Sequence, residues 1–148
     1  MPTINKNKQA YFDYEVLDEF EAGIVLSGSE VKSIKNGQIN LKGSYATIKG
    51  NALWLINAHI SPYLQSSTQT SYTPTQDRKL LLHKKEIGSL IGKLKTKGLT
   101  VLPLSVYTKG SLIKIKVGVC RGKKAHDKRQ LIKKRETDKD IRRLLRNK

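Results

Sequence analysis

Cysteine, acidic residues and long apolar runs are what this sequence has least of. Cys120 is its single cysteine, so no intrachain disulfide can form and no zinc spacing exists. That scarcity fits a reducing compartment, and a cytoplasmic location is expected. No apolar run approaches the roughly 18 residues that suggest a membrane span. Met1 to Gln9 holds no apolar signal segment, which argues against secretion. The three histidines, His59, His83 and His126, lie far apart, each without a metal-ligand spacing partner. There is no glycine-rich phosphate loop, nucleophile elbow or paired-carboxylate motif. Acidic residues number 12, and most of those in the body fall between Asp13 and Glu30. So little material argues against catalysis: no catalytic residue, metal or cofactor is assigned, and a non-enzyme is expected.

What the chain has in excess is positive charge. Lys and Arg number 29 and the formal net charge is +17 in 148 residues, well above the ~2–8 that solubility needs. From Arg121 to Lys148 there are 13 Lys or Arg against 4 acids, a net of +9, with one Gly, no Pro and no aromatic residue. That stretch has too few apolar positions for a core of its own, so a tail that orders only on a partner is expected. Met1 to Cys120 carries the remaining +8 and is long enough for one core. The expected division is therefore a domain over 1–120 and a basic tail over 121–148. A cationic arm on a basic body points to a polyanion, with single-stranded or folded RNA a natural class.

The body reads as mainly β. Residues 1–10 are polar and expected to be mobile. Tyr14 to Leu26 suggests two strand segments with a bend near Asp18-Glu19. Ser27-Gly28-Ser29-Glu30 has the form of a capping box, and Val31 and Ile34 continue a short helix that Asn36-Gly37 stops. Tyr45–Ile48 and Ala52–Ile56 flank Gly50-Asn51 as a hairpin. Ser61 to Gln76 is a long polar loop with two prolines. Ile87, Leu90, Ile91 and Leu94 mark an amphipathic helix within His83–Lys97. Val101–Tyr107 and Leu112–Val119 form a second hairpin, where Ile113, Ile115, Val117 and Val119 alternate with Lys114, Lys116 and Gly118: one buried face, one basic. Cys120 is expected as a small strand-end residue, and Trp54 and Phe20 as core rather than base-stacking platforms. About six short strands with hairpin connections favour a small closed barrel with flanking helices.

Three blocks in register carry a family resemblance. They are Phe20-Glu21-Ala22-Gly23 with Gly28-Ser29-Glu30-Val31-Lys32-Ser33; Arg78-Lys79-Leu80-Leu81-Leu82; and Gly118-Val119, Gly122-Lys123-Lys124 and His126-Asp127-Lys128-Arg129. From about Asn7 to the C-terminus the chain resembles the bacterial SsrA-binding protein (small protein B) family. The resemblance implies an oligonucleotide-binding-like barrel with flanking helices. It implies binding to the tRNA-like domain of transfer-messenger RNA (tmRNA), delivery to stalled ribosomes, and tagging of incomplete polypeptides. It also implies no catalysis; a monomer that binds no membrane is expected.

Carried over by position, the RNA-facing candidates are Asn7, Tyr14, Glu21, Tyr45, Arg78, Lys79, Leu80 and Leu81. Arg78 and Lys79 can pair with phosphates, and Arg can stack on a base. The tyrosines can stack or donate, and Glu21 can accept from a base amino group or a 2′-OH. For the ribosomal decoding site and message channel the matching residues are Lys123, Lys124, His126, Asp127, Lys128, Arg129, Leu144 and Leu145. Ile141, Leu144 and Leu145 share one helical face, so the tail is expected to be helical when bound. Phe12, Glu15, His83 and Thr137 depart from the residues common in the family. Two other readings stand beside this one: a general RNA-binding ribosomal protein or RNA chaperone, and a polybasic membrane-surface protein. The second is weakened by a tail without aromatic anchors.

Overall fold

A computed structural model of the chain describes residues 3–63 and 72–123. Its elements are β1 (Thr3–Lys6), α1 (Lys8–Asp13), β2 (Tyr14–Ile24), α2 (Gly28–Lys35), β3 (Ile39–Asn40), β4 (Tyr45–Lys49), β5 (Ala52–Ile56), β6 (His59–Ile60), β7 (Arg78–Leu81), α3 (Lys84–Leu94), β8 (Leu99–Lys109) and β9 (Leu112–Gly122). Strands pair antiparallel in the order β8-β4-β5-β7-β2-β9, and β9 pairs back onto β8, which closes a six-strand ring. β1 adds to the far end of β8, and β3 with β6 makes a separate two-stranded ribbon.

Closure of so small a ring requires strongly bent strands, and the bends sit on either side of β9. β2 shifts register between Val16 and Asp18, and β8 shifts between Pro103 and Ser105. Such bulges increase local twist and curl a sheet. Pro103, which has no amide to donate, sits at the β8 bulge. Beside them Gly118 allows close packing: a Cβ there would fall 2.7 Å from Leu104 Cδ1 and 3.3 Å from the Asp18 carbonyl.

The barrel interior is the main core. Ile113, Ile115, Val117 and Val119 all point into it, joined by Leu53, Leu55, Leu80 and Val101, with Ile34 of α2 and Leu90 of α3. The outer face of β9 is not uniformly basic. Lys114 and Lys116 lie outside, but Cys120 is buried with Ala10, Leu102 and Leu104 in a second cluster beneath α1. There burial pushes the Cys120 thiol up to about 11, so it is a packing residue.

Four expectations change. β2, β8 and β9, expected to be short, are 11 residues each. Residues 3–10 are ordered as β1 and the start of α1. The reason is Asn7, whose Oδ1 accepts the Ala10 amide at 3.2 Å while its Nδ2 donates to the Pro103 carbonyl at 2.9 Å. The two segments expected in Tyr14 to Leu26 are one strand, the bend being the Val16/Asp18 bulge. Cys120 is not at the strand end, since β9 continues to Gly122. The Ser27–Glu30 capping box is present in both directions, at 3.2 and 3.0 Å, and Gly50 takes the positive φ of +61° that its hairpin turn requires.

Candidate nucleic-acid interface

Two of the surface clefts gather candidate RNA-facing residues. One, of about 370 Å³, lies between α1 and the start of β4 and is lined by Asn7, Tyr14, Ser44, Tyr45 and Leu102 among others. Tyr45 is exposed and Tyr14 half-buried, so two phenol rings border a concave surface of a size that admits a planar base. Asn7 forms its floor. Buried, it spends its side chain on the Pro103 carbonyl, the Ala10 amide and the Leu41 carbonyl at 3.5 Å. It fixes the cleft wall rather than offering a donor to a ligand.

The other cleft, of about 340 Å³, is lined by Glu21, Gly23, Leu81, Leu82, His83, Glu86 and Lys114. Glu21 is held from behind: the Tyr107 hydroxyl donates at 2.5 Å and Lys109 Nζ at 3.2 Å. The Tyr107 bond, then the Lys109 bond, holds the Glu21 carboxyl below its ordinary range. Burial, and then the carboxylate it serves, pushes the Tyr107 phenol well up. The outcome at neutral pH is an oriented carboxylate with lone pairs left for an amino group or a 2′-OH. Leu81 beside it is 51% exposed, an apolar surface on which a ribose or base can rest.

Strand alternation divides the Arg78–Leu81 block. Lys79 and Leu81 face out; Arg78 and Leu80 face in. Leu80 is core. The Arg78 guanidinium meets no phosphate surface: Nε donates to Glu30 at 2.7 Å, Nη1 to the Ala58 carbonyl at 2.7 Å, and Nη2 to the Tyr72 hydroxyl at 3.0 Å and the Pro74 carbonyl at 2.8 Å. Burial pushes the Glu30 carboxyl up, but the Ser27 amide and Arg78 outweigh it and hold it below its ordinary value. This network ties α2, the turn after β5 and the 72–76 segment together. Of the tail candidates only Lys123 is described. Its ammonium donates to the Tyr11 carbonyl at 2.8 Å, so it belongs to the barrel surface. Lys124, His126, Asp127, Lys128, Arg129, Leu144 and Leu145 lie outside the described residues.

Trp54 and Phe20 are half-buried, and each has a lysine over its ring, Lys49 at 5.7 Å and Lys93 at 5.3 Å from the centroid. Phe20 packs against the main core. His59 is exposed on β6. Among the described residues no group of three His, Cys, Asp or Glu could hold a metal ion, and no helix is long and apolar enough to cross a membrane. Sequence reading missed Tyr107 and Lys109, the partners of Glu21. A Tyr and a Lys two apart on a strand share a face, but nothing in the sequence pairs that face with β2.

A basic closed barrel with clefts walled by tyrosines and by an oriented carboxylate has the chemistry that suits a nucleic-acid ligand. The chain belongs to the SmpB protein family, whose model matches residues 4–147. The SsrA-binding protein of Gloeothece citriformis is 51% identical over 142 residues, covering 96% of this chain and 92% of its own. That of Carboxydothermus hydrogenoformans is 48% identical over 143 residues, covering 97% and 95%. A chain in a solved structure described as "tmRNA-SmpB: a journey to the center of the bacterial ribosome" superposes with a TM-score of 0.69 at 43% identity, covering 84% of this chain and 87% of that one.

Proposed function

We propose that this protein binds the tRNA-like domain of tmRNA through its barrel and brings that RNA to stalled ribosomes for trans-translation. The observation that carries the reading is the extent of the family match. It runs over residues 4–147 and so takes in the basic tail as well as the barrel. In this reading Tyr14, Glu21, Tyr45, Lys79 and Leu81 face the RNA. Asn7, Arg78 and Leu80 hold those residues in place from the interior. Lys124, His126, Asp127, Lys128 and Arg129 serve the decoding site, and Leu144 and Leu145 give an apolar face to a helix in the message channel. The protein acts in the cytoplasm as a monomer, without cofactor, and catalyses nothing.

A tagging assay on ribosomes stalled at the end of a message tests this. Leu144→Asp/Leu145→Asp is expected to leave RNA affinity nearly intact and to abolish tagging. Tail substitutions that lower RNA affinity as much as barrel substitutions would favour a general RNA-binding protein instead.

A further inference from the structure

α1 is six residues long and has no basic residue of its own in its last turn. A helix this short has little stability alone, and its last carbonyls need partners. The Tyr14 amide takes the Ala10 carbonyl. One residue far along the chain, just past β9, takes two more: Lys123 donates its ammonium to the Tyr11 carbonyl and its amide to the Asp13 carbonyl, both at 2.8 Å. The cation stands at the helix C-terminus, where the helix dipole favours it. The Lys6 ammonium lies over the Tyr11 ring, 4.9 Å from its centroid. The same helix supplies Gln9, Ala10 and Asp13 to the wall of the Tyr14–Tyr45 cleft.

We propose that Lys123 is a positioning residue: by clasping the end of α1 it sets the direction in which residues beyond 123 leave the barrel, relative to RNA bound in the Tyr14–Tyr45 cleft. This rests on the function proposed above and goes beyond it. Lys123 and the wall of the Tyr14–Tyr45 cleft are then joined through α1. A tail launched along a fixed line samples a smaller volume and so has a higher effective concentration at its target than a free one. The role differs from a phosphate contact, in which Lys123 would simply add charge.

The test uses the full chain and its Lys123→Met and Lys123→Arg variants in three measurements. The first is affinity for the tRNA-like domain as a function of salt. The second is tagging on stalled ribosomes. The third is the distance distribution between spin labels at Lys42→Cys and Ala125→Cys in the free protein, with buried Cys120 left unlabelled. Lys123→Met should leave the affinity and its salt slope unchanged, lower tagging through the lost effective concentration and broaden the distance distribution. Lys123→Arg, which can still reach the carbonyl, should restore both. Tagging at the parent level in Lys123→Met overturns the proposal. So does a salt slope reduced by about one, the mark of a lost phosphate contact. A tagging loss with an unchanged distance distribution also overturns it, in favour of direct ribosome contact. Failure of the parent chain to bind the RNA would count against the proposed function instead. The distance distributions, taken without RNA, would still decide the clasp.

Discussion

Glu30 divides its work between its two oxygens: Oε1 accepts the Ser27 amide at 3.0 Å, and Oε2 accepts the Arg78 guanidinium at 2.7 Å, with the Tyr72 hydroxyl at 3.2 Å and the Gln76 amide at 3.3 Å beside it. One carboxylate thus starts α2 and neutralises the most buried cation of the barrel. Both side chains are nearly inaccessible, at 4% and 2% exposure. Removing one partner leaves a buried charge without its counterion. Arg78→Met or Glu30→Gln is expected to cost about 3–5 kcal/mol of folding stability. Urea unfolding followed by tryptophan fluorescence measures it. Where the variant remains folded, RNA affinity should fall less than it does when Tyr45 or Glu21 is removed, since the Arg78 guanidinium is spent on interior partners.

The same pair gives an acid limit with a definite sign. The Glu30 carboxyl is held below its ordinary value of 4.5 in the folded protein. As pH falls through that value the unfolded chain takes up a proton first, so stability contributed above 4.5 is progressively lost below it. The urea midpoint should be flat from pH 7 to about 5 and decline below. In Glu30→Gln that part of the decline should disappear.

Glu21 behaves differently because its environment is open. Glu21→Ala should lower the urea midpoint far less than Glu30→Gln does, and should lower affinity for the tRNA-like domain about tenfold, the scale of one hydrogen bond to a charged group. Tyr107→Phe, which removes only the hydroxyl that orients the carboxylate, should show a smaller loss in the same direction. A stability loss without an affinity loss in Glu21→Ala would remove this carboxylate from the interface.

Tyr14 and Tyr45 are expected to act by stacking. Tyr45→Ala should weaken RNA binding by about 1–3 kcal/mol, while Tyr45→Phe should retain most of the affinity. Filter binding at fixed salt separates the two. Equal losses in both variants would assign the contribution to the hydroxyl.

Gly118 tests the packing between the barrel and α1. A Cβ at 2.7 Å from Leu104 Cδ1 and near the Asp18 carbonyl cannot be accommodated without shifting a bulged strand. Gly118→Ala should destabilise the fold by about 1–3 kcal/mol, whereas Gly88→Ala, which meets open space on α3, should stabilise it by up to about 1 kcal/mol.

The parts of the fold legible in the sequence were those set by local rules. The Ser27–Glu30 box, the Gly50 turn, the Ile87–Leu94 stripe and the β9 alternation each need fewer than a dozen neighbouring residues. The remainder depends on pairings that local rules cannot reach. β1 and α1 were missed because Thr3–Asp13 has no apolar periodicity and is ordered by Asn7 reaching the bulge at Pro103. Arg78 read as a surface cation because its partner lies 48 residues away on another element. Glu21 is named through the family resemblance, but the Tyr107 and Lys109 that orient it are visible only once β2 and β8 pair with the two edges of β9. Lys123 read as tail, while its two hydrogen bonds make it part of the barrel.

The central claim is that the barrel alone reads the RNA and that the tail acts later. It is tested most directly by a gel-shift titration against the tRNA-like domain of tmRNA, at physiological salt with excess bulk tRNA. The full chain is compared with a form ending at Lys123, which keeps β9 and the α1 clasp whole. Equal, competitor-resistant affinity in both forms is the predicted result. Binding that collapses with competitor, or with loss of residues 124–148, would show an affinity made of generic charge and would contradict the account.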